Sequence, residues 1–196
     1  MEIKISAAIL AGGKTQRIHG IHKGELKLPN GEPVIRKLIH AIRQADIHDI
    51  IVISDFEEIY RKYHIEVVAD QRKQAGPLGS IETALSHFQQ KTEATLILPY
   101  DMPNLSTEDM VHLKQSFLED PASLVYAQVE EQQHPLFAII PNNLLPKVSA
   151  FIEKGERKAS TVWRTLNGRK LLFKSERAFL SINTPADLDE WLKDAG

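Results

Sequence analysis

Residues 3–23 read IKISAAILAGGKTQRIHGIHK. The first part, residues 3–10, is a short and largely apolar run of strand length. A strand apolar on both faces belongs in the middle of a parallel sheet covered by helices on either side. Gly12 and Gly13 follow at once. Two glycines let the chain turn sharply and present main-chain N–H groups to an anion. Lys14, Arg17 and Lys23 add positive charge nearby. Backbone donors with side-chain cations are what a polyphosphate needs; a solvated basic loop with turn glycines is the competing reading of the same stretch. Two familiar phosphate loops are excluded. Gly13-Lys14-Thr15 ends like a P-loop, but its first glycine would fall on Ala8. The dinucleotide fingerprint G-x-G-x-x-G fails because Gly12 and Gly13 are adjacent.

Outward from this stretch, apolar runs alternate with amphipathic ones. Residues 33–45 carry Val34, Ile35, Leu38, Ile39 and Ile42 at the spacing of one helix face, with Pro33 at the start. A strand is expected at 50–53, a short helix at 56–63, a strand at 67–69, a helix at 78–88 and a strand at 95–98. Ser106 reads as an N-cap with Asp109 in the first turn, opening a helix to about residue 118. The second half is less regular. Strands are expected at 123–129, 136–140, 171–173 and 179–182, and helices at 143–151, 160–166 and 185–191. The alternation predicts the α/β class: a single-domain, three-layer α/β/α arrangement on a mostly parallel sheet with right-handed crossovers. There is no repeat, low-complexity tract or obvious linker.

Composition narrows the function classes. The chain has 196 residues, 24 Lys+Arg against 26 Asp+Glu and a net charge of -2. That balance argues against a general nucleic-acid or anionic-membrane binder. A chain of this mass folds to a surface of roughly 9,000 Å² and needs no staples. Cys is 0, which excludes a disulfide framework, a thiol nucleophile and Cys-type metal sites. The apolar start is too short to span a bilayer and lacks the tripartite form of a signal peptide, so a cytoplasmic protein is expected.

In open parallel sheets, ligands bind beyond the carboxyl ends of the strands. Three unusual loops occupy that position: residues 10–23, 70–80 and 99–104. The second holds Gly76-Pro77-Leu78-Gly79-Ser80 just before a helix, where backbone can approach a ligand closely; a plain turn into the helix is the alternative. The third holds Asp101, a carboxylate at a strand end and so placed to hold Mg²⁺ with phosphates and water completing the shell. Asp70 is a second strand-end carboxylate, and turn chemistry is the bland reading of both. The eight His show no metal-ligand pattern, and there is no Ser-His-Asp arrangement or G-x-S-x-G elbow.

Together these segments resemble the bacterial molybdenum cofactor guanylyltransferases. That family opens with a strand and LAGG-x-S-x-R-M-G-x-D-K, matched here by LAGGKTQRIHGIHKG, then by NGEP before a helix. Its GPL-x-G segment is GPLGS here, and its D-x-P turn is YDMPN. The HP pair is His134-Pro135, the G-E-R is Gly155-Glu156-Arg157, and the N-x-N-T-P is Ser181-Ile182-Asn183-Thr184-Pro185. The segments come in the family's order and span nearly the whole chain. Departures are Ile18-His19 for Met-Gly, His22 for Asp and Ser181 for the first Asn.

The resemblance implies a Rossmann-like nucleotidyltransferase that takes GTP and molybdenum-loaded molybdopterin, with Mg²⁺, and releases pyrophosphate. Gly12 and Gly13 would cradle the phosphates. Arg17 and Lys23 would neutralise the leaving pyrophosphate, and Asp101 would hold the metal. Leu10, Ala11 and Asp70 would flank the guanine. Arg157 and Asn183, with Gly76 and Gly79, would face the pterin substrate, so the N-terminal part binds nucleotide and the C-terminal part the pterin. Molybdoenzymes or their chaperones would be partners; nucleic acid and membrane would not. The residues themselves suit such a reaction: a phosphate nucleophile is already anionic at pH 7, so positioning and charge stabilisation suffice without a base. A cytidylyltransferase or another nucleotidyltransferase of the same fold remains open, as does a non-catalytic nucleotide or cofactor carrier.

Overall fold

The computed structural model describes residues 3–12, 17–18, 21–22 and 25–194, with only the main chain at 17–18, 21–22 and 194. The first half runs β1 (Ile5–Leu10), β2 (Arg17–Ile18), β3 (Ile21–His22), α1 (Val34–Gln44), β4 (Ile50–Ile53), α2 (Glu57–Tyr60), β5 (Glu66–Val68), α3 (Pro77–Phe88) and β6 (Ala94–Pro99). The second runs α4 (Thr107–Glu119), β7 (Val125–Val129), β8 (Gln132–Pro141), α5 (Leu145–Glu153), α6 (Ala159–Thr165), β9 (Arg169–Phe173) and α7 (Pro185–Asp194).

One seven-stranded sheet has the order β5-β4-β1-β6-β8-β7-β9, and β2 and β3 form a separate small ladder. Strand β8 runs antiparallel to both β6 and β7; the other pairings in the large sheet are parallel. The expected α/β class with a mostly parallel sheet is therefore what forms.

Strand β1 explains the layering. All six of its residues are buried. Ala7 and Ile9 join a cluster with α1, α4 and α7, while Ala8 and Leu10 join a second cluster with α3, α5 and α6. Period-two alternation with no polar face forces helices onto both sides. The Ser106 N-cap forms a full capping box with Asp109 at the head of α4. At the amino ends of the strands, Asn142 ties the sheet together: its side chain bonds Thr92 and the Thr95 hydroxyl, and Ser6 bonds the same two threonines. These groups are all buried, so each has a partner rather than a desolvation cost. Among the described residues, no helix is long and apolar enough to cross a membrane.

Four expectations change. Residues 179–182 are not a strand. A 3-10 turn, Glu176–Phe179, is capped by Ser175, and Phe179 packs its ring 5.0 Å from that of Phe173. The apolar residues there anchor an aromatic cluster instead of a ladder. Strand β8 starts at Gln132, not 136, because the β-turn uses only Glu130 and Glu131, with Glu130 at φ 47°. The helix expected at 56–63 divides into α2 and a 3-10 turn, Arg61–Tyr63, that ends on left-handed His64. The helix expected from 143 begins as a 3-10 turn, Asn142–Leu144, before α5.

Candidate active site

The chain leaves β1 for β4 on one side and later returns to β6 on the other. The loops after β1 and β6 therefore part at the carboxyl edge, where an open sheet offers a crevice. Main-chain bonds fix both lips. Ala11 N donates to Ile53 O at 2.9 Å, and Tyr100 N donates to Leu10 O at 3.2 Å. Leu10 and Ala11 are buried at the base of the crevice, and Gly12 is exposed above them.

Gly12 lies against Asp70. A Cβ at position 12 would stand 3.4 Å from Asp70 Oδ2 and 3.6 Å from Ser80 Oγ. Gly12 thus packs its α-carbon against the Asp70 and Ser80 side chains. The Ser80 hydroxyl donates to Asp70 Oδ2 at 3.1 Å, whereas Asp70 Oδ1 is buried with no hydrogen-bond partner among the described residues. Burial pushes the Asp70 carboxyl above its ordinary value; the Ser80 bond opposes this and the neighbouring Asp55 charge adds to it. The result is a half-buried carboxyl with one hydrogen-bonded oxygen and one buried oxygen unpaired among the described residues.

Asp101 is half-buried in the turn between β6 and α4. Its main-chain oxygen accepts from Ile182 N at 2.9 Å. The Lys37 ammonium, on α1, donates to Pro103 O in the same turn. Burial lowers the Lys37 pKa, while Asp109 and Glu32 pull it back up. The Ile182 contact brings the 181–184 segment beside Asp101, so Asn183 stands at the same edge. Its Nδ2 donates to Ser181 Oγ at 2.9 Å, and its main-chain N donates to Asp187 Oδ2 at 2.8 Å. The serine that replaces the family's first Asn thus serves as an acceptor for the second.

Gly76 and Gly79 shape the loop ahead of α3. Gly76 has φ 61° and ψ -157°, a conformation that needs glycine, and a Cβ there would meet Arg157 O at 3.4 Å. Gly79 is buried; a Cβ would come within 2.9 Å of Arg72 O and of Ala75 Cβ. Arg157 clamps the same loop. Its Nε donates to Gln74 O at 3.1 Å, and its Nη1 donates to Ile152 O and Glu156 O at 3.0 and 2.7 Å. The guanidinium is thus engaged with main-chain carbonyls next to the Gly76 turn.

Gly13, Lys14 and Lys23 lie outside the described residues, and for Arg17 only its main chain in β2 is described. Among the described candidates, the fold brings Leu10, Ala11, Gly12 and Asp70 together, Asp101 with the Asn183 segment, and Gly76 and Gly79 with the Arg157 loop. Sequence reading had missed the parts played by Ser80, Lys37 and Asn104. Ser80 and Asn104 sit inside quoted motifs; Lys37 lies on a helix beside apolar positions and carries no local signal.

A hard divalent cation is bound through one or two carboxylates, with phosphate oxygens and water completing the shell. Asp101, in the turn after β6, is a carboxylate of that chemistry, although no group of three or more His, Cys, Asp or Glu that could hold a metal ion occurs among the described residues.

Residues 7–170 match the family described as "MobA-like NTP transferase domain". A molybdenum cofactor guanylyltransferase of Vibrio parahaemolyticus serotype O3:K6 (strain RIMD 2210633) is 31% identical over 188 residues, 95% of this chain and 94% of the relative. One from Histophilus somni (strain 129Pt) is 29% identical over 197 residues, covering 97% of each. Among solved structures, molybdopterin-guanine dinucleotide biosynthesis protein A from Archaeoglobus fulgidus aligns with a TM-score of 0.75 at 22% identity, covering 96% of this chain and 97% of that one. CMP:2-keto-3-deoxy-manno-octonic acid synthetase complexed with CTP aligns with a TM-score of 0.74 at 14% identity, covering 97% of each chain. Both likenesses speak for the fold, and the second shows that the fold alone does not choose the base.

Proposed function

The chain belongs to the MobA-like NTP transferase family and is a nucleotidyltransferase, and on that premise we propose that it transfers GMP from GTP to the terminal phosphate of molybdenum-loaded molybdopterin. A terminal phosphate oxygen of the pterin attacks the α-phosphorus of GTP. The bond from that phosphorus to the β-phosphate oxygen breaks, and pyrophosphate leaves with the electron pair. The observation that supports the reading is the strand order, which puts the segments after β1 and β6 side by side at the carboxyl edge where the chain switches direction. Gly12 follows β1 beside Asp70, and Asp101 follows β6, the neighbouring strand.

The roles follow from chemistry at that edge. Gly12, with Gly13, presents main-chain N–H groups to the phosphates. Arg17 and Lys23 draw negative charge toward the leaving pyrophosphate. Leu10, Ala11 and Asp70 flank the guanine, whose N1–H and exocyclic amine are donors suited to a carboxylate acceptor. Asp101, with phosphate oxygens, would hold Mg²⁺, which when bound supplies charge stabilisation at the α-phosphate. Asn183 faces the pterin; Arg157, Gly76 and Gly79 shape the loop that borders it. One domain thus serves both substrates, nucleotide toward the N-terminal half and pterin toward the C-terminal half. Molybdoenzymes or their chaperones would receive the product.

Pyrophosphate release tests this directly, with Mg²⁺, molybdenum-loaded molybdopterin and GTP, CTP or ATP in parallel. Release with GTP alone is expected. Release with CTP alone would move the chain to the cytidylyl branch, and GTP binding without release would make it a carrier. Asp101→Asn should lower turnover at least about 10²-fold while leaving the fold intact.

A further inference from the structure

We propose that Asn104 is a positioning residue that holds the Asp101 turn and the Asn183 segment in one fixed relation, so that the metal carboxylate and the pterin side move as a unit. The proposal rests on the reading of Asp101 as the metal carboxylate given above.

The side chain of Asn104 reaches two separate elements. Its Nδ2 donates to Arg177 O at 2.9 Å, in the 3-10 turn Glu176–Phe179. Its Oδ1 accepts from Trp191 Nε1 at 2.9 Å, on α7. The orientation of the amide is fixed by chemistry: an indole N–H only donates and a carbonyl only accepts. Trp191 is 2% exposed, so its end of the bridge is anchored in the core. Between the two elements lies the 181–184 segment, whose Ile182 N holds Asp101 O. Asn183 N and Thr184 N donate to Asp187 Oδ2 and Thr184 O accepts from Leu188 N, all within the start of the segment's own helix. Asn104 therefore spans both ends of the segment from inside the turn that carries Asp101, and Lys37 fastens the same turn to α1 through Pro103 O. A carboxamide is the group that can accept from the indole and donate to the carbonyl at once. Aspartate lacks the donor, and alanine lacks both.

The test is steady-state pyrophosphate release by Asn104→Ala, Asn104→Asp and Trp191→Phe, varying Mg²⁺, GTP and molybdopterin separately, with Asp101→Asn alongside and melting curves for each. Both Asn104 variants should lose about tenfold or more in kcat, because small misplacements of a positioned group are costly. The KM for molybdopterin and the Mg²⁺ half-saturation should rise several-fold, while the KM for GTP stays within about twofold. Trp191→Phe, which removes the indole donor and keeps an aromatic ring in the core, should show the same pattern at about threefold, and it decides the matter if the Asn104 variants fail to fold. A normal kcat, molybdopterin KM and Mg²⁺ dependence in a folded Asn104→Ala, with Asp101→Asn inactive, overturns the positioning role alone. Full turnover in Asp101→Asn overturns the carboxylate reading and the proposal with it.

Discussion

Ser80 Oγ satisfies one oxygen of Asp70 at 3.1 Å, while the other oxygen is buried without a partner among the described residues. Burial raises the carboxyl pKa, so the native state holds this proton more tightly than the unfolded chain does. The cost of ionising it is absent below the ordinary value of 3.8 and complete once pH exceeds the raised native value. Stability therefore falls as pH rises through that window. Asp70→Asn keeps an acceptor for Ser80 and cannot ionise. Its Nδ2 takes the place of the partnerless Oδ1, a cost present at every pH, so the variant's unfolding free energy should fall less than the parent's as pH rises from about 4 to about 7. The same variant should weaken GTP binding, since with the amide oxygen kept on Ser80 an NH2 donor replaces a carboxylate oxygen toward guanine's donors. Denaturant unfolding at both pH values and the KM for GTP measure the two effects; a difference between variant and parent that is the same at both pH values would show that Asp70 does not titrate in that window.

Elements were legible where the pattern was long or chemically specific. Strand β1 declared itself by burial on both faces, α1 by its apolar positions and α4 by the Ser106–Asp109 cap. The short run 179–182 has too few residues to carry a period, and its phenylalanine answered to an aromatic cluster formed with residues from β8 and β9. The loop ahead of α3 shows the same limit: GPLGS signals a helix start, but not that Arg72 O would fold back onto Gly79. That contact makes a prediction for the element. In Gly79→Ala, the new Cβ would press within 2.9 Å of a carbonyl oxygen and of Ala75 Cβ, neither of them the end of a flexible side chain. The 70–76 loop must shift, at a cost of about 1–3 kcal/mol. Because that loop carries Asp70, the KM for GTP should rise together with the loss of stability in urea. An unchanged KM would separate the loop's packing from nucleotide binding.

The site as a whole is built from segments far apart in the chain: 10–12, 70–80, 99–104 and 177–191. That 10–23, 70–80 and 99–104 lie at one edge was readable, because parallel strands put their carboxyl ends together; that 177–191 would join them was not, because 179–182 reads as a strand. Which atoms would touch was not. Ile182 on Asp101, Arg157 on the Gly76 turn and Trp191 on Asn104 join loops that no periodicity relates. Arg157 is the clearest instance: a cation read as a substrate contact is engaged with the carbonyls of Gln74, Ile152 and Glu156. This assembly has a thermodynamic consequence. A ligand held by loops that converge only in the native state binds that state alone, so GTP with Mg²⁺ must stabilise the fold by mass action. At a hundredfold excess over Kd the gain is about 2.7 kcal/mol. For a chain of this length each kcal/mol moves the melting temperature by about 2–4 °C, so a rise of roughly 5–10 °C is expected. Asp101→Asn should keep the rise that GTP produces with chelator present and lose the further increment that Mg²⁺ adds, since only the metal depends on that carboxylate. Asn104→Ala should lose part of the increment, because the carboxylate is still present but no longer held in place. If Asp101→Asn keeps the full Mg²⁺ increment, the metal sits elsewhere along the edge, and the unsatisfied oxygen of Asp70 becomes the group to replace next.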